Sequence, residues 1–433
     1  MQSINLNTLN KLFKGLEKAN NSFTDHYPGD REQQQPIHTL YGGAQLYKAG
    51  ATKKIGELSL KAFHQYAPDH TTLAKALNLP GNEKLWKQVH QRVISKLEKC
   101  AVEDFRIDFE DGYGNRPDAE EDACAEFTAK EYAQALKDGI AAPYMGIRIK
   151  PFNEELKYRS VRTLDIFVST LIKENDGKVP ENFVITLPKV NIPEQVTAFV
   201  ELLDHMEQQI GIQNGSLKIE VMIETTQALL SQNGVSHMPL IYQAANGRCR
   251  GAHFGTYDYT ASFDITAAHQ HMQHPACDFA LQMMKLTFAG TGVWLSNGAT
   301  SVMPIGDTET VHQAWKLAFD DIIHSLEMGY YQGWDLNPAQ IPIRYAACYT
   351  FFLQSLEQAS VRLKNFIKKA AQATLVGDVF DDAATGQGLL NFFLRALNSG
   401  AITEKEIEAT GLSLAELRTK SFVKIVANRT QSS

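Results

Sequence analysis

"DFRIDFEDGYG", residues 104–114, alternates Phe105, Ile107 and Phe109 with Arg106, Asp108 and Glu110, the period-two pattern of an extended strand. It ends in two adjacent carboxylates, Glu110 and Asp111, with glycines on either side of Tyr113. Ionised carboxylates repel each other and lose hydration beside a core, so this crowding calls for a counter-ion.

Seven more segments read as strands: TLYGGAQL (39–46), YMGIRIKP (144–151), FVITLPKV (183–190), LKIEVMIET (217–225), GAHFGTYDY (251–259), GTGVWLSN (290–297) and QGWDLNP (332–338). Amphipathic stretches such as AEEDACAEFTAKEYAQALKD and PEQVTAFVELLDHMEQQI lie between them. Eight strands alternating with helices predict an α/β chain with a closed (β/α)8 TIM barrel over residues 38–345. An open doubly wound sheet accepts much of the same alternation, but the first strand lacks a GxGxxG turn and the count of eight favours closure. Residues 1–37 are read as an N-terminal helix and linker. Residues 346–433 are read as a helical region that packs on the barrel or over its mouth, with Thr403 and Glu406 set as a capping box.

The bulk numbers agree with a globular enzyme-sized chain: 433 residues, 44% hydrophobic and 21% charged. A net charge of −7 argues against a nucleic-acid partner. No apolar run approaches about 18 residues, so no membrane span is expected. Five scattered cysteines without a CxxC pair suit reduced thiols, and the amino terminus reads as an amphipathic helix rather than a signal peptide. The expected location is cytoplasmic.

Chemistry in such barrels sits at the carboxyl ends of the strands. Here those ends carry Asp108, Glu110 and Asp111; Arg148 and Lys150; Lys189; Glu224; and the run Gly255, Thr256, Tyr257, Asp258. Charges of both signs on five consecutive strand ends mark one functional rim. Glu224 and Asp258 each end an apolar strand and are expected to ligate a hard cation, Mg2+ or Mn2+, which commonly takes one or two carboxylates and keeps waters. Asp108, Glu110 and Asp111 would accept hydrogen bonds from those waters. The cation, with Arg148 and Lys189, would offset the crowded carboxylates. Arg148 offers a planar fork for a substrate carboxylate, and together these groups suit a 2-oxo acid and its enolate. Gly255 and Thr256, with Asn337 after the last strand, are expected to meet the substrate.

At these residues the chain resembles a known family. FRIDFEDGY, GIRIK, TLPKV, VMIETTQAL and FGTYDYTASF occur in order like the motifs of the citrate lyase β-subunit and malyl-CoA lyase group, the HpcH/HpaI aldolase-like branch of the phosphoenolpyruvate/pyruvate barrels. The resemblance implies magnesium at Glu224 and Asp258, an oxo-acid carboxylate on Arg148, and the acidic motif Asp108, Glu110 and Asp111 beside the metal waters. It implies reversible carbon–carbon cleavage or condensation through a metal-stabilised enolate, with a CoA thioester as part of the substrate. The last strand departs from the pattern, with Trp334 in place of a lysine and Asn337 in place of a histidine. Those departures bear on CoA recognition more than on the metal or the oxo acid.

The expectation is a lyase or aldolase acting on a small oxo or hydroxy acid, assembled as a homo-oligomer. A malate-synthase-like condensation and a non-catalytic oxo-acid-binding protein are the alternatives. A phosphoryl transferase is disfavoured by the lack of a GxxxxGK[ST] loop. His269, His271, His274 and Cys277 cluster after the sixth strand, but their spacing favours structural or substrate-contacting roles over zinc.

Overall fold

A computed structural model describes residues 5–370, 383–408 and 410–431. All eight strands form, and all pair in parallel: β1 His38–Gly43, β2 Asp104–Asp108, β3 Tyr144–Arg148, β4 Phe183–Leu187, β5 Lys218–Ile223, β6 Cys249–Phe254, β7 Trp294–Ser296 and β8 Gly333–Asp335. The sheet runs β7-β6-β5-β4-β3-β2-β1-β8. A parallel bridge between Ser296 and Gln332, with Asn297 N donating to Gln332 O at 2.9 Å, joins its two edges and closes the barrel.

The period-two pattern of β2 has a specific cause. Both faces of a parallel barrel are covered, so every residue of β2 is buried and the alternation separates two interiors. Phe105 and Ile107 join the apolar layer under the helices. Arg106 points to the barrel axis, where it bonds across to Thr186 and Glu220.

The linker before β1 and the C-terminal helices meet at the amino-terminal end of the barrel. Helix Leu6–His26, capped by Asn5, buries none of its side chains. The linker after it runs beneath the strands. Gln35 Nε2 bonds to Gln332 Oε1 at 3.0 Å, and Ile37 N bonds to Glu103 Oε2 at 2.8 Å. The C-terminal helices grip this linker: Asn398 exchanges bonds with Gln35 (3.0 and 3.2 Å), and Arg395 pairs with Asp30 at 2.8 Å. The helical region therefore packs on the barrel at the end away from the rim, not over the mouth. Among the described residues no helix is long and apolar enough to cross a membrane.

Several segments are shorter than their sequence pattern. The stretch after Gly43 turns into a 3-10 helix at Ala44–Leu46, and β2 stops at Asp108. The largest difference is in the sixth segment: β6 ends at Phe254, and Thr256–Ser262 is a helix.

Glycines test the packing in opposite directions. A Cβ at Gly146 in β3 would lie 2.3 Å from Val184 O, whereas one at Gly388, exposed in helix Ala383–Asn398, would meet nothing within 4 Å. Gly146→Ala should cost about 1–3 kcal/mol of stability. Gly388→Ala should add about 0.5–1 kcal/mol by removing a helix breaker. Urea unfolding of the two variants beside the parent checks both signs.

Candidate active site

Asp108 builds the rim. Its carboxylate accepts the backbone N–H of Glu110 at 2.9 Å and of Gly112 at 2.8 Å, which bends the chain as β2 ends. It also takes the Arg148 fork, with Nε at 2.7 Å and Nη2 at 2.5 Å. Burial alone would raise its pKa, but the Arg148 guanidinium and the two backbone donors hold it below the ordinary carboxylate value. The bend needs glycine at 112, where a Cβ would sit 2.6 Å from Asp108 Oδ2.

Lys189 is the second centre. Its φ of 50° is left-handed, a conformation that lysine adopts at a cost. There its backbone N–H donates to Glu224 Oε1 at 2.6 Å, while Nζ lies 2.5 Å from Glu110 Oε1, 3.4 Å from Asp111 and 3.5 Å from Asp258. One ammonium thus sits among the carboxylates that crowd the rim. Glu110 Oε2 lies 2.9 Å from Arg148 Nη1, a charge contact without an aligned hydrogen bond. Glu224 is buried, and burial with the nearby Glu110 and Asp258 charges pushes its pKa up to about 8. Gly255 makes room for it, since a Cβ there would fall 2.3 Å from Glu224 Oε2.

Asp108, Glu110, Arg148, Lys189 and Glu224 therefore come together as the sequence pattern suggests. Asp111 stands at the edge, with its side chain 61% exposed. Asp258 is not at a strand end. It lies in the first turn of helix Thr256–Ser262, 40% exposed, and faces the cluster through Lys189. The Arg148 edge expected to hold a substrate carboxylate is taken up by Asp108, which leaves Nη1 toward Glu110 and Met222. Thr256 Oγ1 is buried with no hydrogen-bond partner. Asn337 serves its own loop, its Oδ1 accepting Ala339 N at 2.8 Å. Lys150 turns away to Glu121 (2.9 Å) and Phe109 O (2.7 Å). His274 caps helix Pro275–Phe288 by accepting Ala276 N at 3.1 Å.

Beneath the rim lies a polar layer that the strand-end charges do not reveal. Arg106 bonds to Glu220 Oε2 at 2.6 Å and to Asp104, and Thr39 donates to Asp104 at 2.8 Å. Trp334 Nε1, which can only donate, points to His253 Nδ1 at 3.0 Å. The proton of His253 is therefore on Nε2, 3.1 Å from Glu220 Oε2. Trp334 also lies against Tyr41, with ring centroids 4.5 Å apart, and the Arg148 guanidinium covers Tyr41 at 4.7 Å. The signal was present: Arg106 is two residues before Asp108, and Glu220 four before Glu224, on the same inward-facing registers.

Among the described residues no group of three or more His, Cys, Asp or Glu forms a ready cation cage. Glu224, on the Lys189 backbone N–H, and Asp258, beside the Lys189 ammonium, are still compatible with magnesium, for which one or two carboxylates suffice. A buried Glu224 crowded by two further carboxylates is a donor set that gains from a cation.

The strand order and its closure define the class of fold: an all-parallel TIM barrel with a charged rim at the carboxyl end. The chain belongs to the family described as a domain of unknown function, DUF6986, whose model matches residues 16–425. Among solved structures it is similar to a citrate lyase from Burkholderia xenovorans LB400, at 17% identity and TM-score 0.57, covering 87% of this chain and 97% of that one. A Haloferax volcanii malate synthase in a magnesium/glyoxylate complex matches at 13% identity and TM-score 0.48, covering 92% and 99%. An HpcH/HpaI aldolase/citrate lyase family protein from Burkholderia cenocepacia J2315 matches at 13% and 0.39, covering 79% and 99%. A comparison with curated proteins found no match.

The raised pKa of Glu224 has a sign that can be measured. Its folded value of about 8 exceeds the ordinary 4.5, so protonated Glu224 favours the fold at low pH, and that contribution is lost as pH rises through about 8. With a chelator present, stability should fall by on the order of a few kcal/mol between about pH 4.5 and pH 8. Glu224→Gln, which cannot ionise, should flatten that slope in denaturant unfolding at stepped pH.

Proposed function

We propose that the chain is a magnesium- or manganese-dependent carbon–carbon lyase or aldolase acting on a 2-oxo or hydroxy acid, with a CoA thioester as one form of the substrate. The observation that carries this reading is the Lys189-centred set of Glu110, Glu224 and Asp258 beside Arg148, gathered on the rim at the carboxyl end of the barrel. The likeness in fold to a citrate lyase supports an enzyme of lyase type in general terms. The helical C-terminal region lies at the other end of the barrel and lends no support to the malate-synthase-like alternative.

Glu224 and Asp258 would hold the cation, which would supply a Lewis acid for the carboxylate and carbonyl oxygens of the substrate. Arg148 Nη1 is the donor left to orient the substrate carboxylate, while Asp108 keeps the guanidinium plane fixed. Tyr41 and Trp334 wall that guanidinium, which keeps water from it and strengthens its charge. Burial opposes the charge on Lys189, but Glu110 and Glu224 raise its pKa well above the ordinary lysine value. It therefore acts as a fixed positive charge that favours an enolate, not as a proton shuttle.

Two measurements test this reading. Magnesium should raise the melting temperature of the parent chain, and Glu224→Gln and Asp258→Asn should each abolish the rise. An unchanged magnesium response in both variants rejects the assignment.

Arg148→Lys keeps the charge but loses the planar fork, at about 1.5–3 kcal/mol for a charge-assisted bond. Affinity for whichever of pyruvate, glyoxylate or oxaloacetate binds should fall about ten- to a hundredfold by calorimetry with magnesium saturating. Equal affinities would make Arg148 structural.

A further inference from the structure

At the end of the barrel away from the rim, the charge pattern reverses. Lys218 opens β5 and Arg250 lies one residue into β6, where the ladder sets Ile219 beside Cys249. Arg31 comes up from the linker, its Nη2 on Cys249 O at 3.0 Å and its Nε on Gly292 O at 2.7 Å. Arg250 reaches back toward the same linker, with Nη2 on Gln33 Oε1 and Nη1 on Asn182 Oδ1, both at 3.1 Å. Its guanidinium lies 5.7 Å from the Trp294 ring. Three cations thus converge where β5 and β6 begin.

Every one of those partners is neutral. Among the described residues no carboxylate lies within ion-pair distance of Arg31, Lys218 or Arg250. Arg250 is only 8% exposed, and its Nε has no hydrogen-bond partner. Buried arginines and lysines are rarely left without an opposite charge. Arg248, two residues before Arg250, shows the usual solution, pairing with Glu207 at 2.7 Å and with Asp204. The carboxylates whose charges reach this group are already held elsewhere: Glu220, which acts on Arg250, by Arg106 and His253, and Glu207, which acts on Lys218, by Arg248. Burial and the repulsion from Arg31 lower the pKa values of both Arg250 and Lys218, and Arg248 adds to the effect at Lys218. A cavity of about 360 Å³ lies beside this group, lined by Arg31 and by Gln33 and Trp294, the contacts of Arg250, but not by Lys218 or Arg250 themselves. Its outer wall, on the C-terminal helices, carries both signs, with Arg395 on Asp30 at 2.8 Å.

We propose that the amino-terminal end of the barrel binds a small oxyanion, free phosphate or the phosphate group of a metabolite, among Arg31, Lys218 and Arg250. A phosphate presents several acceptors and a double charge, which match the free donor of Arg250, the unpaired Lys218 ammonium and the Arg31 guanidinium. Occupancy also bears on the fold. Lys420 Nζ bonds to the carbonyls of Asp30 and Arg31 at 2.7 Å each, so an anion on Arg31 steadies the contact between linker and C-terminal helices.

The test is thermal unfolding of the full chain titrated with inorganic phosphate, against sodium chloride at equal ionic strength. The expected result is a saturable rise in melting temperature with phosphate that chloride does not reproduce. Arg250→Gln and Lys218→Met should each raise the half-saturating phosphate concentration at least about tenfold. Lys218 is only partly buried, so its variant keeps the test alive if the Arg250 variant does not fold. Glu224→Gln, at the opposite end, should respond like the parent, which separates this site from the proposed catalytic rim. Glycerol phosphate run in parallel decides the source: tighter binding than inorganic phosphate assigns a phosphorylated metabolite, and equal or weaker binding assigns free phosphate. No saturable phosphate effect, an unchanged half-saturation in both cation variants, or a response lost in Glu224→Gln overturns the proposal.

Discussion

The Asp108–Arg148 pair organises the rim. It joins the end of β2 to the end of β3 through two parallel bonds, and the same carboxylate holds the backbone of Glu110 and Gly112. Both side chains are almost wholly buried, so removing either would leave an uncompensated charge, a loss of about 3–5 kcal/mol. Glu110 reaches Lys189 only because this bend turns it inward. Lys189 in turn anchors Glu224 through its backbone N–H. The geometry of the whole cluster follows from one fork.

Charge inside the barrel is arranged in layers along its axis. At the carboxyl end carboxylates outnumber cations, and burial together with that excess raises the pKa of Glu224. In the middle, Arg106 is balanced by Asp104 and Glu220, with His253 fixed between Glu220 and Trp334. At the amino end Arg31, Lys218 and Arg250 have no carboxylate within ion-pair distance among the described residues. The cation and the oxyanion proposed above would each offset one of these imbalances. Tyr41 and Trp334 stand between the middle layer and Arg148, so the middle network positions the aromatic wall behind the guanidinium.

Where the sequence pattern misled, the reason is local. HFGTYDY alternates like a strand and is rich in aromatic residues, yet the chain leaves the sheet at Gly255. Glu224 occupies the space a side chain would need there, and Asp258 reaches the site from a helical turn instead. The C-terminal helices show another limit. Their amphipathic pattern says that a face is buried, but the partner, the linker at residues 30–35, is more than 350 positions away in sequence.

The sequence by itself determined the eight strands, their parallel alternation with helices, and most of the charged groups on the rim. Period-two patterns and strand-end charges are local properties of the chain, and they are legible without contacts. Only the tertiary structure decided that Arg148 gives its fork to Asp108, that the Lys189 ammonium lies among the carboxylates, and that Arg106, Glu220 and His253 share one buried network. Those outcomes depend on which strands become neighbours and on how far each side chain reaches across the barrel. The alternation of one strand records which residues point inward, but what they meet there is set by seven other strands.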